Sequence, residues 1–506
     1  MSVILAIDQG TTGTTVLAVN REGNVVGRAY KEIEQHYPQP GWVEHDPEEI
    51  WRSVRDAIAG ALDVGGLQAR EVTGIGITNQ RETVVLWDRQ SGAPLHRAIV
   101  WQCRRTAPEC RAVENAGHAD LIRERSGLVV DPYFSGTKIA WLLDNVPGAR
   151  ARAEAGELAT GTIDSWLIWK LTAGRIHATE PTNASRTQLF RIDELRWDPD
   201  LCRLLGVPQQ ILPVVQPSGS VFGVSDASAI GLEVPVAAAM GDQQAALYGQ
   251  GCWEPGLAKC TYGTGAFLLV HTGDEAVPSS HGLLTTVACD SRGAAAYALE
   301  GAVFIAGAAV QWLRDELGLI ESAAETEALA RSLTTNDGVY FVPAFVGLGA
   351  PHWLSEARGM IVGLTRGAGR SHLARASLEA MAYSTHDLLK AMAADWGHPI
   401  RELRADGGAA ANDWLMQFQA DIARVPVGRP ASVETTALGA AGLAGLTTGY
   451  WSDPGELSEV QVLDRRFEPD LAEAERDRLL GGWQRAVRAA AAWAEVDGST
   501  SRSDRR

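Results

Sequence analysis

The sequence predicts an α/β protein whose two similar domains face a shared cleft. With 506 residues, the chain is too long for one compact core and divides most simply into two domains of about 250 residues each. Segments patterned as strands and as helices alternate along it, which is typical of α/β architecture. Each half also carries a glycine-threonine turn beside an apolar strand, at residues 10–15 and at residues 263–265. One such turn in each half predicts two domains of similar construction.

Composition and charge exclude several classes of function. The net charge of −17 gives no electrostatic reason to expect a nucleic-acid partner or binding to an anionic membrane surface. The longest apolar stretch, residues 301–310, is too short to span a bilayer, and the first residues do not have the pattern of a signal peptide. The six cysteines show neither a CxxC pair nor metal-ligand spacing. We therefore expect a reduced, cytoplasmic protein without membrane insertion.

The first element is a predicted hairpin, "AIDQGTTGTTVLAVN", at residues 6–20. Two apolar runs flank a turn rich in glycine and threonine, and Asp8 stands at its entrance. A Walker loop or a dinucleotide fingerprint would lead into a helix and would need GxxxxGK[ST] or GxGxxG, neither of which is present. Two interpretations stay open. The turn is either an ordinary hairpin or a nest of N–H groups and hydroxyls that holds phosphate, with Asp8 facing a metal ion.

The following elements continue the alternation. The stretch "HDPEEIW" predicts a helix that begins after Asp46, with Pro47 in its first position. Strand-like runs follow at 74–78, 83–87 and 97–101. Two segments rich in small residues, 297–313 and 371–392, predict long, tightly packed helices. A third glycine cluster, "RADGGAAAND" at 404–413, lies between a short strand and a helix.

Two polar clusters at predicted strand ends could carry chemistry. In "ITNQRETVV", Arg81 and Glu82 form either a solvated turn or a grip on a polyol, whose hydroxyls both donate and accept hydrogen bonds. In "AMGDQQAALYGQG", Asp242 is either a helix cap or a general base that takes a proton from a hydroxyl nucleophile. Three aromatic residues adjoin these clusters, and they either pack in the core or line the carbon side of a small polyol: Trp101, Tyr133 and Phe267.

Together these segments resemble the FGGY family of carbohydrate kinases, and within it the members that phosphorylate glycerol. The first family signature fits "YFSGTKIAWLLDN" at 133–145, and the second fits "GMIVGLTRGAGRSHLARASLE" at 359–379. Further matching stretches include "GITNQRET", "AIVWQCRRT", "TNASRTQLF", "GDQQAALYGQ", "YGTGAFLL" and "TALGAAGLAGL". The resemblance runs from Ile4 to about Trp493 and is far more specific than an isolated Gly-Thr turn.

The resemblance implies two ribonuclease-H-like domains of the actin-like ATPase type that close over ATP and glycerol. The expected boundaries are 1–248 for an N-terminal domain with the glycerol site and the phosphate hairpin, 249–495 for a C-terminal domain with the nucleotide site, and 496–506 for a disordered tail. The expected activity is the ATP-dependent phosphorylation of glycerol to sn-glycerol 3-phosphate with Mg²⁺, which would feed glycerol catabolism and glycerolipid precursors. Relatives also lead us to expect a homo-dimer or homo-tetramer.

The resemblance assigns roles residue by residue. Asp8 lies near Mg²⁺, and Asp242 is the general base. The expected glycerol contacts are Arg81, Glu82, Trp101, Tyr133, Asp242, Gln243 and Phe267. The expected nucleotide contacts are Thr11, Thr12, Gly13, Gly263, Thr264, Gly307, Gln311, Gly408, Ala409 and Asn412.

Two departures from the family pattern and two rival functions stay open. Thr15 stands where better-known bacterial members have an arginine, and residues 225–234 lack the patterns linked to fructose-1,6-bisphosphate inhibition and to phosphorylation by the phosphotransferase system. A pentulose or tetritol kinase is one rival, but such relatives usually differ from "NQRET". An actin-like or chaperone-like ATPase is the other, and it would hydrolyse ATP without a polyol acceptor.

Overall fold

The structure is a computed structural model that describes residues 2–500, with side chains described to residue 494. Strands and helices alternate through these residues. The strands are β1 (Val3–Gln9), β2 (Gly13–Val19), β3 (Val25–Glu32), β4 (Glu44–His45), β5 (Val72–Asn79), β6 (Val84–Asp88), β7 (Ala98–Ile99), β8 (Leu158–Thr162), β9 (Ala178–Thr179), β10 (Phe190–Arg191), β11 (Arg196–Trp197), β12 (Val214–Val215), β13 (Gly223–Val224), β14 (Pro235–Gly241), β15 (Leu257–Tyr262), β16 (Ala266–Gly273), β17 (Leu284–Cys289), β18 (Ala295–Val303), β19 (Tyr340–Val342), β20 (Met360–Val362), β21 (Glu402–Asp406), β22 (Val427–Pro430) and β23 (Leu463–Phe467).

The helices connect these strands and cover the faces of the sheets. They are α1 (Pro47–Val64), α2 (Ala107–Asn115), α3 (Ala119–Ser126), α4 (Ser135–Asn145), α5 (Ala149–Glu154), α6 (Ile163–Leu171), α7 (Pro181–Ala184), α8 (Pro199–Leu204), α9 (Ala227–Ile230), α10 (Asp242–Gly249), α11 (Gly307–Asp315), α12 (Glu325–Arg331), α13 (Arg370–Trp396), α14 (Asp413–Ala423), α15 (Thr435–Thr448), α16 (Pro454–Val460) and α17 (Glu473–Thr500).

Two large mixed sheets have the same core topology. The first has the order β13-β14-β5-β1-β2-β3, with β1 antiparallel to β2 and parallel to β5. The second has the order β17-β18-β16-β15-β21-β22-β23, with β15 antiparallel to β16 and parallel to β21. Without β13 in the first sheet, and without β17 and β23 in the second, each sheet keeps a core of five strands, which numbered in chain order runs 3-2-1-4-5. This repetition confirms the α/β class and the two similar halves that the paired turns predicted.

Burial on both faces explains the apolar character of the central strands. In β1 (VILAIDQ) the first five residues are fully buried. Helix α1 covers one face of the first sheet, and its side-chain cap is as predicted, because Asp46 Oδ1 accepts from Glu48 N at 2.9 Å. Strands that are covered on both faces have nearly continuous hydrophobic sequences.

Helix α15 comes from the second half of the chain but packs on the first sheet, against β1, β5 and β14. Its small residues permit the close approach. A Cβ on Gly76 would lie 2.2 Å from Ala440 O, and a Cβ on Gly439 would lie 2.0 Å from Ala245 O. The division into 1–248 and 249–495 stays a prediction, and α15 ties the two parts together within one core.

The prediction of one helix over residues 297–313 is wrong. Residues 295–303 form strand β18, and only residues 307–315 are helical, as α11. A short apolar run cannot be assigned to a buried strand or a buried helix from periodicity alone. Here the small residues of β18 lie between two strands, β16 and β17. The helix predicted over 371–392 is confirmed as part of α13.

The ends of the chain and the cysteines complete the fold. Helix α17 continues to Thr500, so residues 496–500 of the predicted disordered tail are helical, and the rest of that tail lies outside the described residues. All six cysteines are buried free thiols. Across residues 2–500, no helix combines the length and the apolar character that crossing a membrane requires.

Candidate active site

The first hairpin turn follows β1, whose last two residues are Asp8 and Gln9. Gly10 N donates to Gly13 O at 2.9 Å and closes the turn. A Cβ on Gly13 would lie 2.5 Å from Tyr30 Oη and 2.6 Å from Lys31 O, so only glycine fits there. Thr11 is half-buried and Thr12 is exposed. The turn therefore presents hydroxyls and backbone N–H groups at its surface, as a phosphate-binding nest requires.

Hydrogen bonds from several other elements hold this turn in place. Gln35 Nε2 and Trp101 Nε1 donate to Thr11 O at 2.6 Å and to Thr11 Oγ1 at 2.9 Å, respectively. Ile33 N donates to Thr12 O at 3.0 Å, and Gln80 Nε2 donates to Gly10 O at 3.1 Å. Trp101 was predicted as an aromatic wall for a polyol. The structure gives it an additional contact with the first hairpin turn.

The second hairpin turn, between β15 and β16, is built in the same way. Gly263 N donates to Gly265 O at 2.8 Å, and both Gly263 and Thr264 are exposed. The first residues of α11 rest on this turn, because Gly307 N donates to Gly263 O at 3.0 Å and Ala308 N donates to Thr264 O at 3.0 Å. The two turns are therefore matching candidates for phosphate contacts, one from each sheet.

The third glycine cluster lies on the other side of the second turn. Gly407 follows β21 with a φ of 85°, and a Cβ there would lie 2.3 Å from Tyr262 O. Gly408 and Ala409 then form a short 3₁₀ turn, and Asn412 caps α14 by accepting from Leu415 N at 2.9 Å. Gln311 is exposed on α11, one helical turn after Gly307. The predicted adenosine contacts thus lie on two segments that flank one turn.

Gly307→Ala is expected to raise the KM for ATP while leaving the KM for the acceptor nearly unchanged. A Cβ on Gly307 would lie 2.5 Å from Gly263 O, so the second turn or the start of α11 must shift. Steady-state kinetics with each substrate varied in turn measures the effect. Gly481→Ala is the matched control, because a Cβ in that helix meets nothing within 4 Å. Equal behaviour of the two variants would contradict this account.

The acceptor side of the site lies where parallel strands β1, β5 and β14 end. Asp8 opposes Thr78 of β5, and Thr78 opposes Met240 of β14, so the three carboxyl ends are level. Ligands of open α/β sheets bind outside such carboxyl ends. Arg81 follows β5 and Asp242 follows β14, and Arg81 Nε lies 3.4 Å from Asp242 Oδ1. The structure therefore brings together the two clusters that the sequence singled out.

Arg81 is bound to a residue that the sequence analysis did not single out. Its Nη1 donates to Glu300 Oε2 at 2.7 Å, and its Nη2 donates to Glu300 Oε1 at 2.8 Å. Burial alone would raise the pKa of Glu300, but Arg186 and Arg81 reverse this and lower it to about 2. The carboxylate of Glu300 therefore stays ionised at neutral pH.

Glu82 is held in an unusual backbone conformation and paired with a second arginine. Its φ of 61° lies in the left-handed region, which non-glycine residues rarely adopt and which recurs at functional sites. Arg186 Nε donates to Glu82 Oε1 at 2.7 Å, and Ser135 Oγ donates to Glu82 O at 3.1 Å. Both side chains of this pair are fully buried.

The predicted aromatic residues surround these charges. Tyr133 accepts from Arg81 Nη2 at 3.4 Å, and its ring meets Trp101 edge-on at 5.7 Å. Phe267 opposes Thr261 on β15, and the next residue on the same face of β16, Leu269, opposes Lys259 and Glu300. Because directly opposed residues share a face, Phe267 lies on the same face of the second sheet as Lys259 and Glu300.

Asp242 and Gln243 begin α10 beside a buried lysine. Burial raises the pKa of Asp242, and Arg81 partly opposes that rise. The side chain of Asp242 remains 32% exposed. Lys259 Nζ donates to Gln243 Oε1 and, at 3.1 Å, to Thr261 Oγ1. The carboxylate at this position is thus accessible and flanked by two fixed cations.

Asp8 has a different electrostatic environment. Burial, followed by the negative charges of Asp242 and Glu434, raises its pKa to about 7. Thr15 opposes Asp8 in the hairpin, so the arginine that the family pattern leads one to expect is absent there. A half-buried carboxylate whose neighbouring charges are negative is a candidate ligand for a divalent cation.

Comparison with known proteins agrees with this geometry. The chain is 56% identical over 491 residues to "Glycerol kinase" of Symbiobacterium thermophilum, covering 97% of this chain and 99% of that protein. It is 54% identical over 492 residues to "Glycerol kinase" of Caldanaerobacter subterraneus, with the same coverage. These similarities extend over nearly the whole of each chain.

A solved structure extends this similarity to three dimensions, and two family models extend it to the level of the domains. The crystal structure of Plasmodium falciparum glycerol kinase with ADP superposes with a TM-score of 0.93 at 36% identity, covering 97% of this chain and 98% of that one. Models of the N-terminal and C-terminal domains of FGGY carbohydrate kinases match residues 3–249 and 258–448. The chain therefore belongs to the FGGY family of carbohydrate kinases.

Proposed function

We infer that this chain is a glycerol kinase, which transfers the γ-phosphoryl group of ATP to glycerol and forms sn-glycerol 3-phosphate. More than half of the aligned positions are identical to those of proteins named glycerol kinase, which supports this inference. The observation that carries it is the arrangement of Arg81, Glu82 and Asp242 at one sheet edge, with Arg81 Nε 3.4 Å from Asp242 Oδ1. Polyol hydroxyls both donate and accept hydrogen bonds, and this cluster offers both functions.

Each predicted residue takes a role in this proposal. Thr11, Thr12 and Gly13 of the first turn bind ATP phosphates together with Gly263 and Thr264 of the second. The adenosine contacts are Gly307, Gln311, Gly408, Ala409 and Asn412. Glycerol lies on Arg81, Glu82, Tyr133 and Gln243, with Trp101 and Phe267 against its carbon atoms. The exposed turns, the positions of the flanking segments and the buried ion pairs support these roles.

Asp242 is the general base of this proposal. A primary hydroxyl of glycerol attacks the γ-phosphorus, Asp242 takes up the hydroxyl proton, and the bond to the leaving ADP breaks. The 32% exposure of its side chain supports the role, since it leaves the carboxylate accessible to an incoming hydroxyl. The positive charges of Arg81 and Lys259 oppose the rise in the pKa of Asp242 that burial causes. General-base assistance of this kind contributes about 10²–10⁴-fold to a rate.

Charge on the transferring phosphoryl group is stabilised by backbone N–H groups of the two turns. The hydrogen bonds that close each turn already fix the backbone that carries these N–H groups. Closure of the two domains around the substrates would exclude water, which otherwise competes with glycerol as the acceptor.

The carboxylate of Asp8 fits a magnesium ion. Its oxygen donors are of the type that Mg²⁺ prefers, and the neighbouring charges of Asp242 and Glu434 are both negative. When bound, Mg²⁺ would neutralise charge on the ATP phosphates. Asp8 would hold the ion next to the first turn.

The KM for ATP with Mg²⁺ is expected to rise by about tenfold between pH 8 and pH 6, because the ionised fraction of a group with a pKa of about 7 falls by that factor. Protonated Asp8 is neutral and is a poor ligand for a cation. Thr15→Arg supplies the comparison, since a cation opposite Asp8 would lower its pKa and move this rise to lower pH. ATP itself also changes its protonation state in this pH range, but it does so equally in assays of the wild type and of Thr15→Arg, so the comparison removes that effect. Identical pH profiles would contradict the role of Asp8.

The cellular setting and the assembly remain proposals. Six buried free thiols support a reducing, cytoplasmic location. Sedimentation or light scattering of the purified protein tests the proposed homo-dimer or homo-tetramer.

The test of the proposed reaction is identification of its product. With glycerol and Mg·ATP, we expect ADP and a glycerol phosphate in equal amounts. A dehydrogenase specific for sn-glycerol 3-phosphate should oxidise that product completely. Release of inorganic phosphate in place of the ester would contradict the proposal.

A further inference from the structure

Four buried charged side chains form one continuous network beside the proposed glycerol site. Two are arginines, Arg81 and Arg186, and two are glutamates, Glu82 and Glu300. Arg81 bonds Glu300 through both terminal nitrogens, and Arg186 Nη2 also donates to Glu300 Oε1 at 3.1 Å. Arg186 Nε bonds Glu82 at 2.7 Å. All four side chains are at most 4% exposed.

The charges in this network cancel within it. Two guanidinium groups face two carboxylates, so the group as a whole is neutral. Burying an ion pair is tolerated when every charge is matched and hydrogen-bonded, whereas removal of one partner leaves a buried, unpaired charge. The network therefore depends on each of its members.

Three members come from the first half of the chain, and the fourth comes from the second sheet. Arg81 and Glu82 follow β5 of the first sheet, and Arg186 follows α7. Glu300 lies on β18 of the second sheet, 219 residues from Arg81 in sequence. The Arg81–Glu300 contact thus joins the two sheets at the acceptor site.

Glu300 also determines which donors of Arg81 a ligand can use. Glu300 takes one hydrogen from each terminal nitrogen, and the remaining two lie near Gln244 Oε1 at 3.3 Å and Tyr133 Oη at 3.4 Å. Only Nε makes no hydrogen bond to another described residue, and it lies 3.4 Å from Asp242 Oδ1. An incoming hydroxyl that reaches Nε is therefore placed next to the proposed base.

Gly241 shows how tightly Arg81 is placed. A Cβ at this position would lie 2.7 Å from Arg81 Cδ and 2.8 Å from Arg81 Cγ. The stem of Arg81 thus crosses directly over the residue that precedes Asp242. Its guanidinium is fixed by Glu300 at one end, and its stem is fixed by Gly241 along its length.

We propose that Glu300 and Arg186 are positioning residues of the acceptor site. Glu300 reaches from the second sheet and orients the Nε edge of Arg81 toward Asp242, while Arg186 fixes the carboxylate of Glu82. Neither residue needs to touch the substrate. This inference rests on the proposed function, because it assigns the substrate of that site as the polyol that Arg81 and Glu82 bind.

Glu300→Gln tests the proposal with almost no change in volume. The amide can accept from one nitrogen of Arg81, but its own N–H₂ faces the other, so one bond and the charge balance are lost. We expect the KM for glycerol to rise by about 10- to 100-fold, the value of a hydrogen bond between charged groups. The KM for Mg·ATP should change by less than about twofold, since the side-chain hydrogen bonds of the network do not involve the described residues of either hairpin turn.

Two further variants keep the test decisive. Glu300→Asp keeps the negative charge but shortens the side chain by one methylene group. Its KM for glycerol should lie between those of the wild type and Glu300→Gln. Glu379→Gln is the matched control, because Glu379 is an equally buried carboxylate in the second half, bonded to Arg375 Nε at 2.7 Å. Its melting temperature should fall while its KM for glycerol stays unchanged.

Three results would overturn the proposal. The first is a folded Glu300→Gln with the wild-type KM for glycerol. The second is an equal rise of both KM values, as a general loss of structure would produce. The third applies if Glu300→Gln does not fold, and it is a wild-type KM for glycerol in Glu300→Asp. A rise in the KM for glycerol without a rise in the KM for Mg·ATP in that variant would support the network.

The same assays separate this proposal from the proposed function. The wild-type chain is measured first, and a lack of glycerol-dependent ADP release contradicts the function itself. The variants are then assayed with whichever polyol the wild type phosphorylates. A selective rise in the KM for that polyol supports the network, and no change overturns it.

Discussion

Asp242→Asn is expected to lower kcat by about 10²–10⁴-fold or more, the usual contribution of a general base, with little change in ATP binding. Asparagine has nearly the same shape but cannot take the hydroxyl proton. The remaining carboxylates near the acceptor are unsuitable, since Glu82 is bonded to Arg186 and Glu300 to two arginines. Turnover is measured by ADP release at saturating substrates, and ATP binding by calorimetry.

The pH profile gives this prediction a second measurement. Burial raises the pKa of Asp242, so the wild-type kcat/KM should fall on the acid side above the ordinary range of an aspartate. Below that pKa the carboxyl is protonated and cannot act as a base. Asp242→Asn should lose this acid limb. Asp226→Asn, at the start of α9, is the control and should keep both turnover and profile. Near-normal turnover of Asp242→Asn would remove Asp242 from the role.

Arg81→Ala and Glu82→Ala are expected to raise the KM for glycerol by about 100-fold or more, because each loses charged hydrogen bonds to the substrate. Each also leaves a buried partner unpaired, Glu300 in the first case and Arg186 in the second. Breaking a buried ion pair in this way costs about 3–5 kcal/mol of folding free energy. Kinetics with each substrate and thermal unfolding measure the two effects.

An exposed ion pair supplies the control for these variants. Arg203 is 77% exposed and pairs with Asp200, and Arg203→Ala should alter stability by no more than about 1 kcal/mol. It should also leave both KM values unchanged. Equal increases in the KM for glycerol and for ATP in the Arg81 and Glu82 variants would argue that this pair is only structural.

Local sequence patterns predicted the elements that depend on local physics. The hairpin at residues 6–20 and the helix after Asp46 follow from turn residues, capping residues and apolar runs, and both are confirmed. The segment 297–313 was predicted wrongly because its small, apolar residues suit a buried strand as well as a helix. Only the neighbours β16 and β17 decide between them.

The same error explains why Glu300 was missed. A glutamate within a predicted packed helix gives no indication that it faces Arg81, which is 219 residues away. Arg186 lies in a stretch that matches the family, and Lys259 lies three residues before another. Their pairings with Glu82 and Gln243 arise only in the folded chain. The positions of Asp8, Arg81 and Asp242 could be predicted because each lies at or just after the end of a recognisable strand.

The most direct test of the central claim is ADP release by the purified protein with Mg·ATP and a panel of acceptors. The panel contains no acceptor, glycerol, erythritol, D-xylulose and D-ribulose. We predict release that depends on glycerol, with little background in its absence. Release with a pentulose but not with glycerol would contradict the assignment of Arg81 and Glu82, and release without any acceptor would favour an ATPase that uses no polyol.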